Sequence, residues 1–124
     1  MTVPATGTRR RVLFVEDEVA LHGAYGRYFQ QRYELAFAAT GAEALKQLAA
    51  FEPQVVVIDL HLPDTDGIDL VRRMREALPG LPVVITSGYA SMLPIVETLG
   101  IAHSGYLVKP FDLDTLRACI DAAR

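Results

Sequence analysis

The sequence predicts an α/β fold: a five-stranded parallel sheet covered by helices on both faces, a doubly wound (βα)5 domain. Two observations carry this. Short apolar runs alternate with amphipathic segments five times along the chain, and right-handed crossovers turn such βα repeats into a parallel sheet. Three of the runs are almost wholly apolar rather than alternating, as strands covered on both faces must be.

The elements follow in order. "RVLFV" (11–15) is the first strand and runs into Glu16, Asp17 and Glu18. Leu21, Ala24, Tyr25 and Tyr28 share one face of the first helix. Glu18 reads as an acid in its first turn, favoured by the helix dipole. "YELAFA" (33–38) is the second strand; Ala44, Leu45, Leu48 and Ala49 face one way on the second helix, with Thr40 as its cap. "VVVID" (55–59) is the third strand. Ile68, Val71, Met74 and Leu78 line the third helix, capped by Asp66.

"PVVIT" (82–86) is the fourth strand, and its helix carries Pro94. Proline is tolerated in a first turn, where N–H groups lack intrahelical partners. With Ser91 as N-cap and Gly100 as the left-handed residue past the end, that helix is squeezed to about 92–99. "GYLV" (105–108) is the fifth strand; Leu113, Leu116, Ile120 and Ala123 form the last helical face. "EPQ", "LPGLP" and "KPFD" punctuate the connections.

With 124 residues, one domain is expected, burying roughly two-thirds of the surface its unfolded chain exposes. Residues 1–10 read as a flexible tail, with the domain over 11–124. The net charge of −3 and the lack of a long basic run argue against a direct nucleic-acid partner. Arg9, Arg10 and Arg11 read as a solvated approach to the first strand. A single cysteine, Cys119, excludes an intrachain disulfide and a cysteine metal site; on its helix it reads as inert. His22 and His103 lack paired spacing and read as solvated or capping. The apolar runs are too short to span a bilayer, and the first ten residues lack a signal-peptide core. A soluble, cytoplasmic protein is expected.

The most hydrophobic run in the chain ends on a carboxylate, Asp59, and a buried acid is costly without partners. Open α/β sheets bind ligands beyond the carboxyl ends of their strands, where strand order reverses. With order 2-1-3-4-5 that point lies between strands one and three, which end in Glu16-Asp17 and Asp59. Three carboxylates together repel one another, so the arrangement calls for a cation. Hard oxygen donors suit Mg²⁺, or Mn²⁺. Strand four ends at the hydroxyls of Thr86 and Ser87, and strand five at Lys109. These are the parts for phosphoryl chemistry: Asp59 as nucleophile, Mg²⁺ and Lys109 neutralising phosphoryl oxygens, Ser87 donating a hydrogen bond. A calcium loop at "DTDGID" is excluded, because the closing glutamate is missing.

"VEDE", "VIDLHLPDTDG", "ITSGYA" and "GYLVKPF", in this order and spacing, resemble the receiver domains of two-component response regulators such as the chemotaxis regulator. The resemblance covers 11–124 and implies a flavodoxin-like architecture. It implies that Asp59 is the phosphoacceptor, that Glu16 and Asp17 form the acidic metal pocket, and that His61 offers its backbone carbonyl to the metal. It further implies that Lys109 contacts the phosphate and that Lys109–Pro110 is cis. Ser87 rather than Thr86 takes the switch-hydroxyl place, five residues after Pro82 and twenty-two before Lys109. Tyr106 matches the mobile switch aromatic. Pro94, and Ala102 where these domains usually carry glycine, depart from the family pattern.

The implied partners are a sensor histidine kinase or phosphotransfer protein and a downstream effector whose identity the sequence does not give. A phosphorylation-dependent dimer belongs to the same expectation, as does the lack of any enzymatic turnover beyond the domain's own phosphorylation and dephosphorylation. Three rival readings compete with this one. A haloacid dehalogenase-type hydrolase needs a second aspartate where this chain has His61, and a cap insertion that is missing. A flavodoxin-like electron carrier would meet a repulsive "VEDE" at its phosphate loop. A pseudo-receiver, binding partners without phosphorylation, is the remaining alternative.

Overall fold

The computed structural model describes residues 9–124; most of the expected tail lies outside the described residues. The elements are β1 (Arg11–Val15), α1 (Val19–Phe29), β2 (Glu34–Ala38), α2 (Gly41–Phe51), β3 (Val55–Asp59), α3 (Gly67–Ala77), β4 (Val83–Ser87), α4 (Leu93–Thr98), β5 (Tyr106–Val108) and α5 (Leu113–Ala122). The five strands form one parallel sheet in the order β2-β1-β3-β4-β5, as expected.

Side chains alternate across a strand, and two cores follow. Leu13, Val15, Val56, Ile58, Val83 and Ile85 pack against α2, α3 and α4. Val12, Phe14, Val55, Val57 and Val84 face the other way, toward α1 and α5. Every residue of β3 and β4 is buried, which is why these runs carry no polar alternation.

Several local expectations change. On α1 the buried pair is Tyr25 and Phe29, while Tyr28 is 40% exposed. Phe14 decides this by stacking on both Tyr25 and Phe29. Ala49 faces solvent, and Leu78 is exposed at the C-cap of α3. Glu18 occupies the N-cap of α1 rather than its first turn. β4 begins at Val83, after Pro82, which has no N–H to donate. β2 begins at Glu34; Tyr33 lies in the preceding turn with its ring buried and its hydroxyl on Asp121.

Thr40 and Asp66 cap as expected, accepting the N–H groups of Glu43 (3.1 Å) and Ile68 (2.8 Å). Ser91 does not cap α4. It lies inside a 3-10 turn, Ala90–Met92, and Met92 takes the N-cap without a side-chain bond. The helix is therefore only six residues long, with Pro94 in its first turn and Val96 as its single buried residue. Gly100 (φ +68°) ends it, its N–H donating to Glu97 O, in the left-handed conformation that glycine adopts at least cost.

The arginines at the start of β1 are not merely solvated. Arg9 donates to Gln30 O, Arg10 to Ile120 O and Arg11 to Glu52 O, each tying a distant backbone carbonyl to the strand's beginning. His22 is half-buried, stacked on Phe37 and donating from Nε2 to Glu16 O. His103 is also half-buried, with Nδ1 unpartnered. Cys119 lies half-buried against Gly105, and burial pushes its thiol pKa up. Among the described residues, no helix is long and apolar enough to cross a membrane.

Candidate functional site

β1 and β3 lie side by side, Val15 opposite Ile58, so the residues that follow at their carboxyl ends meet. Glu16 and Asp59 are buried (2% and 4% exposed) while Asp17 reaches solvent. One carboxylate oxygen from each of the three lies within 4.8 Å of the others. β5 brings the counter-charge. Lys109 N–H donates to Ser87 O at 2.8 Å, extending the β4–β5 pairing, and the Lys109–Pro110 bond is cis, as expected. Lys109 Nζ lies 2.6 Å from Asp59 Oδ2 and 2.7 Å from Glu16 Oε1, with Glu18 Oε1 at 3.9 Å.

The backbone holds the remaining carboxylate oxygens. Asp59 Oδ1 accepts the His61 N–H at 2.8 Å, and Glu16 Oε2 accepts the Glu18 N–H at 3.1 Å. Burial pushes Glu16 up to about 7, against the hydrogen bonds from Lys109 and the Glu18 amide, with the Asp59 charge adding to the rise. Burial alone would lower Lys109, but its bonds to Asp59 and Glu16 outweigh that and hold it firmly protonated. Tyr25, beneath the cluster, is pushed up to about 12 by burial and the Glu16 charge.

Gly67 fixes the height of this edge. A Cβ there would lie 2.5 Å from Leu60 Cα and 2.9 Å from Asp59 O, so the start of α3 rests directly on the Asp59–Leu60 peptide. Asp64, from the same connection, accepts the N–H groups of Gly41 (2.7 Å) and Ala42 (3.1 Å), joining it to the start of α2.

The hydroxyls form a second group. Ser87 is fully buried, and its Oγ accepts the Tyr89 N–H at 3.0 Å. Tyr106 donates its Oη–H to Tyr89 O at 2.6 Å, its ring half-buried. Thr86 sits opposite Asp59 in the β3–β4 register. His61 is exposed and meets the Tyr89 ring edge-on at 5.1 Å. Glu16, Asp17, Asp59 and Lys109 are thus brought together, while Ser87 and Tyr106 converge on the loop carrying Tyr89. Sequence reasoning passed over Tyr89. Its one signal was an aromatic two residues beyond the strand-end hydroxyl.

The acidic cluster fits a hard divalent cation. An octahedral Mg²⁺ binds oxygens at about 2.1 Å, so its ligands span at most about 4.2 Å, close to the spread of these carboxylates before any adjustment.

Residues 12–121 match the family described as response regulator receiver domain. The chain belongs to that family. Receiver domains are signalling modules of two-component systems, and this one is 34% identical over 114 residues to the Escherichia coli regulatory protein AtoC, covering 91% of this chain and 25% of AtoC. It is 33% identical over 113 residues to the two-component response regulator PhoP of Pseudomonas aeruginosa, covering 90% of this chain and 50% of PhoP. This receiver domain therefore spans between a quarter and a half of these curated relatives. Among solved structures, a CheY-like receiver domain protein from Methanospirillum hungatei superimposes with a TM-score of 0.83 at 27% identity, covering 92% of each chain. The receiver domain of the Francisella response regulator 1452 does so with a TM-score of 0.81 at 29% identity, covering 91% of this chain and 94% of that one.

Proposed function

We propose that this receiver domain, over 11–124, accepts a phosphoryl group on Asp59 from the phosphohistidine of a sensor histidine kinase or phosphotransfer protein. The observation that carries this is Lys109 Nζ held between Asp59 Oδ2 and Glu16 Oε1 at the carboxyl edge of the sheet. A carboxylate so placed has a fixed orientation and a cation beside the position of the incoming charge. One Asp59 oxygen forms the new O–P bond as the N–P bond to the donor imidazole breaks, its electron pair returning to the ring. Lys109 follows the phosphoryl oxygens, keeping its charge throughout.

Glu16, Asp17, Asp59 and the His61 backbone carbonyl are the groups that would hold Mg²⁺ or Mn²⁺. Bound there, the ion supplies positive charge to the phosphoryl oxygens. Ser87 then exchanges its bond with the Tyr89 N–H for one to a phosphoryl oxygen, and Tyr106 follows through its bond to Tyr89 O. The altered face is read by an effector or by a second copy in a phosphorylation-dependent dimer, in a cytoplasmic pathway.

Incubation with acetyl phosphate and Mg²⁺ tests the reading by intact mass. One acid-stable, base-labile phosphoryl group is expected, and Asp59→Asn should abolish it. Full labelling of Asp59→Asn would overturn the assignment. A folded wild-type domain that takes up no label would favour the pseudo-receiver reading.

A further inference from the structure

At the opposite edge of the sheet, the connections entering β4 and β5 border an open cavity of about 430 Å³. Arg75, Arg124, His103 and Ser104 contribute its polar side chains, and no Asp or Glu side chain lines it. The domain as a whole is acidic, with a net charge of −3, so this concentration of cations runs against its overall balance. The five residues of β4, at about 3.3 Å each, put the cavity some 15 Å from the Asp59 edge.

Arg75 is the central group. It is half-buried on α3, and its Nε and Nη2 both donate to Leu81 O, at 3.2 and 3.1 Å. It makes no ion pair among the described residues, nor does Arg124. Burial, with no acid opposing it, pulls the Arg75 pKa down. A cation withdrawn from water without a counter-charge is unfavourable; a bound anion removes that cost. His103 lines the same cavity, and its buried Nδ1 has no hydrogen-bond partner. Gly80 and Gly100, at φ +80° and +68°, turn the two bordering loops, and a Cβ at either would meet nothing within 4 Å. The mouth is open to a small ligand.

We propose that this cavity is an oxyanion site, taking inorganic phosphate or a small dicarboxylate on the Arg75 guanidinium with His103 and Ser104 as further donors. It is separate from the Asp59 edge and independent of the phosphoacceptor reading. The test is an NMR titration of the metal-free full chain with phosphate and, in a second arm, with succinate, at constant ionic strength. Saturable shifts are expected at the Gly80 and Ser104 amides and the His103 ring, and the arm with the tighter saturation identifies the ligand. Arg75→Gln should weaken binding at least tenfold, whereas Arg72→Gln, which removes the same charge from an exposed position on α3, should not. Should Arg75→Gln fail to fold, Ala102→Glu keeps the Leu81 bonds and places a carboxylate at the rim; it should compete with phosphate and abolish saturation. Shifts that grow linearly in both arms, that are confined to Ser87 and Lys109, or that survive Ala102→Glu unchanged would overturn the proposal.

Discussion

Tyr106 on β5 donates its hydroxyl to the carbonyl of Tyr89, 2.6 Å away and 17 residues back along the chain. The same Tyr89 gives its N–H to Ser87 Oγ. One loop residue thus links the buried strand-end hydroxyl to an aromatic on the neighbouring strand, just ahead of the 3-10 turn that leads into α4.

Tyr106→Phe removes the link while keeping the ring. A single net hydrogen bond is worth about 0.5–1.5 kcal/mol, so only a small loss of global stability is expected by urea unfolding. Amide exchange should quicken from Tyr89 through α4, which has six residues and one buried side chain and is marginal without packing. Fluoroberyllate with Mg²⁺ should change protection in the same segment of the wild type. A segment equally protected in all three samples would rule out the linkage.

Lys109→Met leaves Glu16 and Asp59 facing each other without their cation. Removing one partner of a fully buried pair costs about 3–5 kcal/mol; with Lys109 20% exposed, a loss of about 1–3 kcal/mol is expected. Mg²⁺ should restore more stability to this variant than it adds to the wild type, as read from urea midpoints. Equal Mg²⁺ effects would count against a shared carboxylate cluster.

Asp17→Asn removes one carboxylate from the proposed metal pocket while leaving the Lys109 contacts in place. Mg²⁺ affinity should fall at least about tenfold, or 1.4 kcal/mol, by titration calorimetry. An unchanged affinity would remove Asp17 from the pocket.

Gly67→Ala tests how tightly α3 rests on β3. The new Cβ would meet backbone at 2.5 Å, which cannot move aside as a side chain can. Overpacking costs typically about 1–3 kcal/mol, and the upper end is expected here. Because the displaced peptide is that of Asp59, labelling by acetyl phosphate should slow as well. A variant as stable and as readily labelled as the wild type would contradict the contact.

The tie between α5 and the turn before β2 carries a pH signature. Burial alone would raise the Asp121 carboxyl, but hydrogen bonds from Tyr33 and Arg32 hold it below 3.8. A carboxyl lowered in the folded state contributes stability above its unfolded pKa and loses it as pH falls through the folded value. Asp121→Asn should therefore cost about 1 kcal/mol near neutral pH, discounted for its exposure. The difference from wild type should narrow below pH 3.8. A gap that stays constant with pH would mean that charge plays no part.

The number of strands, the acid at the end of "VVVID", the caps at Thr40 and Asp66 and the end of α4 at Gly100 were all determined by the sequence itself. Each depends on neighbours a few residues away, where apolar period, capping side chains and the freedom of glycine act directly. Tertiary structure decided what depends on distant partners. Tyr28 and Phe29 both fit an apolar helix face, and only Phe14 from β1 selects Phe29. Arg10 looked like a solvated charge until the end of α5 supplied Ile120 O. Asp64 had no visible role until the start of α2 arrived with two unpaired N–H groups. The carboxylates pointed to a cation, yet the strand pairing that carries Lys109 to 2.6 Å from Asp59 joins residues fifty positions apart. Local spacing cannot encode such a meeting, because the same short segments would look alike in any sheet order; the packing of the whole chain chooses their partners.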